Sequence, residues 1–231
     1  MPDFRFKKFS MTDSRTAMKI GADSVLLGSW MGVDGALRLL DAGCGCGILS
    51  LMAAQRLCDA GCGNFAIDAI DIDAGAAADA AENFAASPWA ANLSVQQISL
   101  QDYAPGVLYD RIFSNPPYYD DSLSSGSAAR DAARCTATLP RRALLRSAAR
   151  LLKTDGRLSV ILPAAEGRKF ILEAVFDGWF LHRECFVKTA ETLPPRRLML
   201  EFSREAARGA DVRTLTVGSD AYYLLTEKFY L

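Results

Sequence analysis

The chain has 231 residues, of which 50% are hydrophobic, and it carries a formal net charge of −1 at pH 7. This length and composition can bury a sizeable core, and we expect a single domain. The near-zero charge excludes a protein whose whole surface serves nucleic-acid binding, so any basic patch must be local. The charged first residues and the lack of an uncharged apolar run of about 18 residues predict a cytoplasmic protein without a signal peptide or membrane span.

Four of the six cysteines fall within nineteen residues, namely Cys44, Cys46, Cys58 and Cys62, and the other two are Cys135 and Cys185. Their Cys-x-Cys and Cys-x-x-x-Cys spacings are not those of zinc ribbons, and His182 is the only histidine of the chain. We therefore expect no metal site. The cysteines are interpreted as small apolar side chains in a reduced compartment.

The first elements in chain order are an amino-terminal arm and a short helix. Phenylalanines alternate with cations between Phe4 and Phe9, which indicates either a half-buried strand on the body or a solvated tail. Residues Ser24–Met31 have helical character. Asp23, directly before them, is a candidate helix cap.

A glycine-rich turn follows the first strand of the core. The apolar run Leu37–Ala42 leads into Gly43-Cys44-Gly45-Cys46-Gly47, and Ile48–Leu57 is helical in character. Only glycine lets the backbone approach a ligand closely at a helix N-terminus, so this order indicates a nucleotide-type site. A second strand, Phe65–Ile70, ends on Asp71, at the spacing expected for a carboxylate that binds ribose hydroxyls.

The glycine spacing separates this turn from a dinucleotide site. Gly-x-Gly-x-Gly behind Asp41 resembles the first motif of Rossmann-like methyltransferases, which bind S-adenosylmethionine. Asp73 is expected to cap the alanine-rich helix Ala74–Ala86. The third strand, Leu93–Ile98, leads to Ser99, where the family commonly has an aspartate on the cofactor adenine; either Ser99 or Asp102 is expected to make this contact.

The fourth strand, Tyr109–Ser114, stops on Asn115-Pro116-Pro117-Tyr118. Two consecutive prolines cannot donate backbone hydrogen bonds, so they fix a stiff exit from the strand. This motif resembles that of amino-group methyltransferases, which act on adenine or on the amide of glutamine. The residue types suit the reaction, because an exocyclic amine is a weak nucleophile until Asn115 and the Pro116 carbonyl accept its two N–H groups and aim its lone pair. Tyr118 offers a face on which a flipped base can stack.

The second half of the chain predicts a substrate loop and the rest of the sheet. Residues 119–138 are serine-rich and contain Arg130 and Arg134. The pattern then predicts helix Leu139–Lys153, strand Gly156–Pro163, helix Gly167–Phe176, strands Trp179–Lys188 and Leu198–Phe202, and a tail helix Ser219–Leu231. Two successive strands without a helix between them indicate an antiparallel hairpin at the sheet edge.

Across nearly its whole length the chain resembles the bacterial methyltransferases that modify adenosine 37 of valine tRNA on its exocyclic amine. The resemblance is carried by Arg15, Met18–Asp23, Leu26–Trp30, Asn115–Tyr118, Arg130 with Ala133-Arg134 and Thr136, and Tyr222–Tyr230. It implies a Rossmann-like class I α/β fold, with a seven-stranded mostly parallel sheet, an antiparallel edge hairpin and helices on both faces. It also implies one domain, with an arm and helix in residues 1–34, a catalytic core in 35–205 and a tail helix in 206–231.

The resemblance further implies S-adenosylmethionine as cofactor and the anticodon stem-loop of tRNA as partner, with no obligate protein partner. The expected catalytic residues are Asn115, Pro116 and Tyr118. The expected cofactor-binding residues are Lys19, Gly21, Asp23, Asp41, Gly43, Gly45, Gly47, Asp71, Ile72, Ser99 and Asn115, and the expected RNA-binding residues are Tyr118, Tyr119, Arg130, Arg134 and Arg196.

Three other functions fit parts of the pattern. A protein-glutamine methyltransferase would use the same four motif residues, but such enzymes usually carry a separate amino-terminal domain. A DNA or ribosomal-RNA amino-methyltransferase is another enzyme candidate, although no target-recognition insert is evident. A degenerate fold that only binds RNA is the non-enzyme alternative, and the intact Asn115 and glycine loop argue against it.

Overall fold

The structure is a computed structural model that describes residues 4–16, 18–116 and 141–230. Within these ranges the strands are β1 (Phe4–Arg5), β2 (Ser10–Met11), β3 (Arg38–Ala42), β4 (Ala66–Asp71), β5 (Leu93–Gln97), β6 (Tyr109–Ser114), β7 (Leu152–Pro163), β8 (Phe180–Lys188), β9 (Arg197–Ser203) and β10 (Asp211–Thr216). The α-helices are α1 (Ala22–Trp30), α2 (Ile48–Asp59), α3 (Ala74–Ala85), α4 (Arg141–Leu151), α5 (Ala164–Phe176) and α6 (Asp220–Thr226).

Strands β3 to β10 form one eight-stranded sheet in the order β10-β8-β9-β7-β6-β3-β4-β5. Strand β9 is antiparallel to β7 and to β8, and the other pairs are parallel. The class predicted from the sequence is confirmed, because the sheet is mostly parallel and contains the expected β8–β9 hairpin. Strand β10 is an addition to the seven expected strands, and it places the hairpin one strand in from the edge.

Helices cover both faces of the sheet, as the buried residues of β3 show. Leu39 and Leu40 are both fully buried, yet they belong to different hydrophobic clusters. Successive side chains of a strand point to opposite faces, so a strand buried on both sides is apolar throughout. Helices α1, α2 and α3 contribute to the cluster around Leu39, whereas α4 and α5 contribute to the cluster around Leu40.

The carboxyl-terminal part of the chain differs from the predicted tail helix. Residues 211–216 form strand β10, and α6 covers only Asp220–Thr226. Four of the six residues of β10 are exposed and only Leu215 is buried. This strand has too little apolar alternation to be predicted from the sequence.

Helix α1 begins earlier than predicted, and Asp23 is not its cap. The N-cap is Gly21, and no side chain caps the helix. Asp23 lies in the first turn, where its Oδ2 accepts a hydrogen bond from Arg197 Nε at 2.7 Å. The expectation for α3 is confirmed, because Asp73 Oδ1 accepts a hydrogen bond from the backbone N–H of Ala76 at 2.7 Å.

Guanidinium groups hold the carboxyl end of α1. Arg56 Nη1 donates to the carbonyl of Met31 at 2.7 Å, and Arg183 Nη2 donates to that of Trp30 at 3.1 Å. Arg183 also stacks on the Trp30 ring, with 4.1 Å between the guanidinium carbon and the ring centroid. These cations satisfy terminal carbonyls and complement the negative end of the helix, so α1 is fixed at this end.

No helix in the described ranges is long and apolar enough to cross a membrane.

Candidate active site

A cavity of about 450 Å³ opens at the carboxyl ends of β3, β4 and β6. Because these strands are parallel and adjacent, the residues that follow them meet at one edge of the sheet. Residues 12–16 and 18–20 form an amino-terminal segment that we call the strap, and its Thr16 and residues 18–20 line the cavity. The cavity is thus built from the glycine turn, two strand tips, Asn115 and the strap.

The glycines of the turn after β3 serve two different purposes. Gly43, Gly45 and Gly47 all have positive φ, of 73°, 55° and 85°. A Cβ on Gly43 would meet nothing within 4 Å, whereas a Cβ on Gly47 would lie 2.4 Å from the ring of Phe84. The first two glycines therefore leave room at the cavity, and Gly47 allows α2 to pack closely against α3.

Asp71, at the tip of β4, is held in a fixed orientation. Its Oδ2 accepts from the N–H of Gly45 at 2.8 Å, and its Oδ1 accepts from the N–H of Asp73 at 2.9 Å. Burial raises the pKa of Asp71, although these backbone hydrogen bonds oppose the shift. Each carboxylate oxygen has lone-pair capacity beyond these bonds, so Asp71 can also accept hydrogen bonds from a ligand.

Asp41 lies behind the glycine turn and does not line the cavity. It is fully buried, and its Oδ2 accepts from Ser50 Oγ at 2.7 Å and from the Ser50 N–H at 3.1 Å. Among the described residues, no group donates a hydrogen bond to its Oδ1. Burial raises the pKa of Asp41 to about 7. Asp41 therefore joins the end of β3 to the start of α2 behind the glycine turn.

The strap is pinned to α3 by a buried carboxylate, Asp79. Its Oδ2 accepts from the N–H groups of Arg15 and Thr16 and from Thr16 Oγ1, each at 2.8 Å, and its Oδ1 accepts from Arg15 Nε at 2.7 Å. Burial alone would raise the pKa of Asp79, but the hydrogen bonds from Arg15 and Thr16 lower it. The anchor therefore stays ionised at neutral pH.

One turn further along α3, Asn83 joins the strap to the glycine turn. Its Oδ1 accepts from the N–H of Thr12 at 2.9 Å, and its Nδ2 donates to the carbonyls of Thr12 at 2.8 Å and Cys46 at 2.9 Å. Sequence analysis missed Asp79 and Asn83. The available signal was two polar residues at i and i+4 on a helix that is otherwise rich in alanine.

Asn115 lines the cavity directly after β6. Its Nδ2 donates a hydrogen bond to Ser24 Oγ, in the first turns of α1, at 3.0 Å. The preceding residue, Ser114, donates from Oγ to the carbonyl of Ala42 at 2.6 Å, which joins the ends of β6 and β3. Sequence analysis also missed Ser24, which is buried and lines the cavity beside Asn115.

The structure brings together most of the described residues predicted to hold the cofactor. Those lining the cavity are Lys19, Gly43, Gly45, Asp71, Ile72, Ser99 and Asn115, whereas Gly21, Asp23, Asp41 and Gly47 do not line it. Ser99 and Asp102 both line it and are joined by a 2.6 Å hydrogen bond from Ser99 Oγ to Asp102 Oδ2. Pro116 is buried and Arg196 is exposed. The RNA-binding candidates Tyr118, Tyr119, Arg130 and Arg134 lie outside the described residues.

Two thiols also face the cavity, those of Cys44 and Cys46. Burial raises the pKa of Cys44 well above its usual range and that of Cys46 to about 12. Both thiols are therefore neutral at physiological pH and add apolar surface beside the glycine backbone. This is the packing role expected for these two cysteines, whereas Cys58 is exposed and does not fit that expectation.

Comparisons with known proteins show the family to which the chain belongs. Residues 14–184 match the family model for the methyltransferase small domain. The tRNA1(Val) (adenine(37)-N6)-methyltransferase of Salmonella enteritidis PT4 is 41% identical over 235 residues, covering 99% of this chain and 94% of that protein. The chain belongs to this methyltransferase family. The family expected from the sequence motifs is therefore confirmed, and the chain is an enzyme of the methyltransferase class.

Solved structures of other methyltransferases share the fold. A predicted O-methyltransferase from Agrobacterium tumefaciens has a TM-score of 0.65 at 17% identity, covering 89% of this methyltransferase and 96% of that chain. The glycopeptide N-methyltransferase MtfA, in complex with S-adenosyl-L-methionine, has a TM-score of 0.56 at 12% identity. The match covers 82% of this methyltransferase and 97% of the MtfA chain. At these identities the likeness shows the class I methyltransferase fold alone.

Proposed function

We propose that this methyltransferase transfers a methyl group from S-adenosylmethionine to N6 of adenosine 37 in valine tRNA. The observation that carries the proposal is the position of Asn115, which shares one cavity with the glycine turn and Asp71. A methyl donor and an amine acceptor would therefore meet at Asn115. The name of the Salmonella relative supports the choice of tRNA and nucleotide. We also infer that the enzyme is one catalytic domain and works in the cytoplasm.

The residues of the cavity fit S-adenosylmethionine. Gly43 has no atom within 4 Å of the place a Cβ would take, so a ligand can approach its backbone. The fixed carboxylate of Asp71 suits ribose hydroxyls, and a cavity of about 450 Å³ lies in the usual range for small-molecule sites. Ser99 and Asp102 add polar groups beside the apolar Ile72. When bound, the cofactor supplies an electrophilic methyl group.

Asn115 and Pro116 prepare the amine. The Asn115 amide oxygen and the Pro116 carbonyl each accept one N–H of the adenine amine, which directs the nitrogen lone pair to the donor side of the cavity. Ser24 supports this arrangement, because it receives the amide N–H of Asn115 at 3.0 Å and so selects the orientation of the amide oxygen. Loss of one such oriented contact costs roughly 10²–10³-fold in rate in comparable sites.

The tRNA is expected to bind through few and local contacts. The net charge of −1 leaves no general attraction for a polyanion. Each phosphate neutralised in a single-stranded loop contributes a slope of about −0.7 to the dependence of log affinity on log salt. The overall salt dependence of binding should therefore be shallow.

Transfer of labelled methyl groups to total tRNA from a strain lacking this protein tests the proposal. We expect the label in N6-methyladenosine at position 37 of valine tRNA. The Asn115→Ala variant should lose transfer by at least about 10²-fold and still bind S-adenosylmethionine in calorimetry. Label in protein would favour a glutamine amide as the acceptor, and label in another nucleoside would exclude adenine N6. Absence of cofactor binding by the wild type would exclude the enzyme altogether.

A further inference from the structure

A second cleft, of about 580 Å³, lies between the carboxyl-terminal tail and the amino-terminal arm. We call it the tail cleft and define it by Lys7, Val217, Tyr222, Tyr223, Glu227 and Tyr230. Three of the seven tyrosines of the chain are in it. Tyr223 is 61% exposed and Tyr230 is 39% exposed, so aromatic surface faces solvent that a purely structural tail would bury.

The tail is firmly attached, so these rings are held in place. Phe229 is buried, and its carbonyl accepts from the N–H of Lys7 at 3.0 Å. Gln55 Nε2, on α2, donates to the carbonyl of Lys228 at 2.8 Å. The rings of Tyr222 and Tyr223 meet edge to face, with 5.6 Å between their centroids. A rigid aromatic surface loses little conformational entropy when a ligand binds.

One part of the tail cleft, at Val217, lies at the edge of the sheet that holds the cavity. Val217 follows β10, and its N–H donates to the carbonyl of Lys188, the last residue of β8, at 2.9 Å. Both strands run parallel to β7 and β6, so their carboxyl ends lie on the side where Asn115 follows β6. Strand β10 is four positions from β6, and a strand spacing of about 4.8 Å puts Val217 about 19 Å from Asn115 along this edge.

The chemistry of the tail cleft fits an uncharged aromatic ring better than a phosphate. Lys7 donates from Nζ to the carbonyl of Glu227, and the two side chains bring opposite charges to the same cleft. Without excess positive charge, attraction for a phosphate is weak. Tyrosine rings, by contrast, stack on any nucleobase, because every base has a π-face. Proteins recognise single-stranded RNA largely through such stacking.

We propose that the tail cleft is a second RNA subsite, which stacks an unpaired base of the same tRNA whose target adenosine lies at Asn115. The subsite rests on the proposed function, because it takes its RNA from the reaction at the cavity. It explains why two tyrosine rings of a firmly attached tail are exposed. It also adds binding energy away from the reacting atoms.

Truncation of the exposed rings tests the subsite. In filter binding of valine tRNA, Tyr223→Ala should raise Kd by about 5- to 150-fold, the loss expected for one stacked base, and Tyr223→Ala with Tyr230→Ala should raise it further. Tyr223→Phe keeps the ring and should stay within about twofold of wild type. The kcat at saturating tRNA and the calorimetric Kd for S-adenosylmethionine should not change, because no cavity residue is altered.

The matched control is Phe176→Ala. Phe176 is 84% exposed at the end of α5, which follows β7 and therefore ends at the opposite edge of the sheet. Its removal should leave tRNA affinity unchanged. A double tyrosine variant with wild-type tRNA affinity would overturn the subsite, as would a change in sedimentation without a change in RNA affinity, which would assign the rings to a protein contact. Filter binding measures tRNA affinity without methyl transfer. Failure of the proposed function would therefore be detected by a different result, the absence of label in adenosine 37.

Discussion

Asn115 Nδ2 donates a hydrogen bond to Ser24 Oγ at 3.0 Å. This contact orients the amide so that its oxygen can face the cavity. An amide side chain has a donor end and an acceptor end, and exchange of the two would present N–H groups to an incoming amine. Ser24 belongs to α1, whose far end is held by Arg56 and Arg183. The orientation of Asn115 thus depends on a helix that is itself fixed.

Ser24→Ala should lower kcat by about 5- to 10-fold, because one neutral hydrogen bond is worth about 1 kcal/mol. The calorimetric Kd for S-adenosylmethionine should remain within about twofold, which separates positioning from cofactor binding. Ser29→Ala is the matched control on the same helix: Ser29 is also buried, and its Oγ has no hydrogen-bond partner among the described residues. Equal loss of kcat in both variants would assign the effect to packing of α1.

The strap is an element without regular secondary structure, and it owes its position to α3. Asp79 accepts four hydrogen bonds from Arg15 and Thr16, and Asn83 Oδ1 accepts one from the N–H of Thr12. The close approach also requires Gly75, where a Cβ would lie 2.8 Å from the carbonyl oxygen of Arg15. Because the opposing atom belongs to the backbone, the strap has to move if a side chain is added.

Gly75→Ala should therefore weaken binding of S-adenosylmethionine by roughly 10-fold, as measured by calorimetry, while favouring α3 itself by up to about 1 kcal/mol. Reduced affinity in a variant whose melting temperature is not reduced would be the signature of a displaced strap. Gly63→Ala serves as the control, because a Cβ there would meet nothing within 4 Å. Unchanged cofactor affinity in Gly75→Ala would show that the strap does not shape the site.

The stability of the whole molecule should depend on pH through Asp41. Burial raises the pKa of this carboxyl to about 7, from an ordinary value of 3.8. The folded protein therefore holds a proton that the unfolded chain releases between about pH 4 and pH 7. Stability falls as pH rises through this window, because the folded state binds more protons there than the unfolded state.

Asp41→Asn should remove this dependence, since an amide does not ionise and its oxygen can still accept from Ser50. In urea unfolding, the free energy of unfolding of the wild type should fall by about 2 kcal/mol more than that of the variant between pH 5 and pH 8. Ser50 is best left intact in this experiment, because its two hydrogen bonds oppose the shift. Parallel pH profiles for variant and wild type would show that Asp41 is ionised across the range.

The sequence predicts the parts of the molecule whose signal is local. The glycine turn, Asp71 and Asn115 follow three apolar strands, and parallel strands bring their carboxyl ends together, so their meeting at one cavity could be expected. The strap was not predicted, because most of the hydrogen bonds that Asp79 and Asn83 make to it involve backbone groups, which any sequence provides. Strand β10 was missed for another reason, since its side chains are mostly exposed and its pairing with β8 uses the backbone.

The hydrogen bond between Lys7 and Phe229 sets an order in which the molecule can be completed during synthesis. The cavity-lining residues that the structure describes run from Thr16 to Asn115, so they are synthesised before the tail. The tail cleft needs both Lys7, which precedes the cavity-lining residues, and Tyr222 to Tyr230, which follow them. A chain that is released early thus lacks the cleft altogether, although it carries the residues of the cavity.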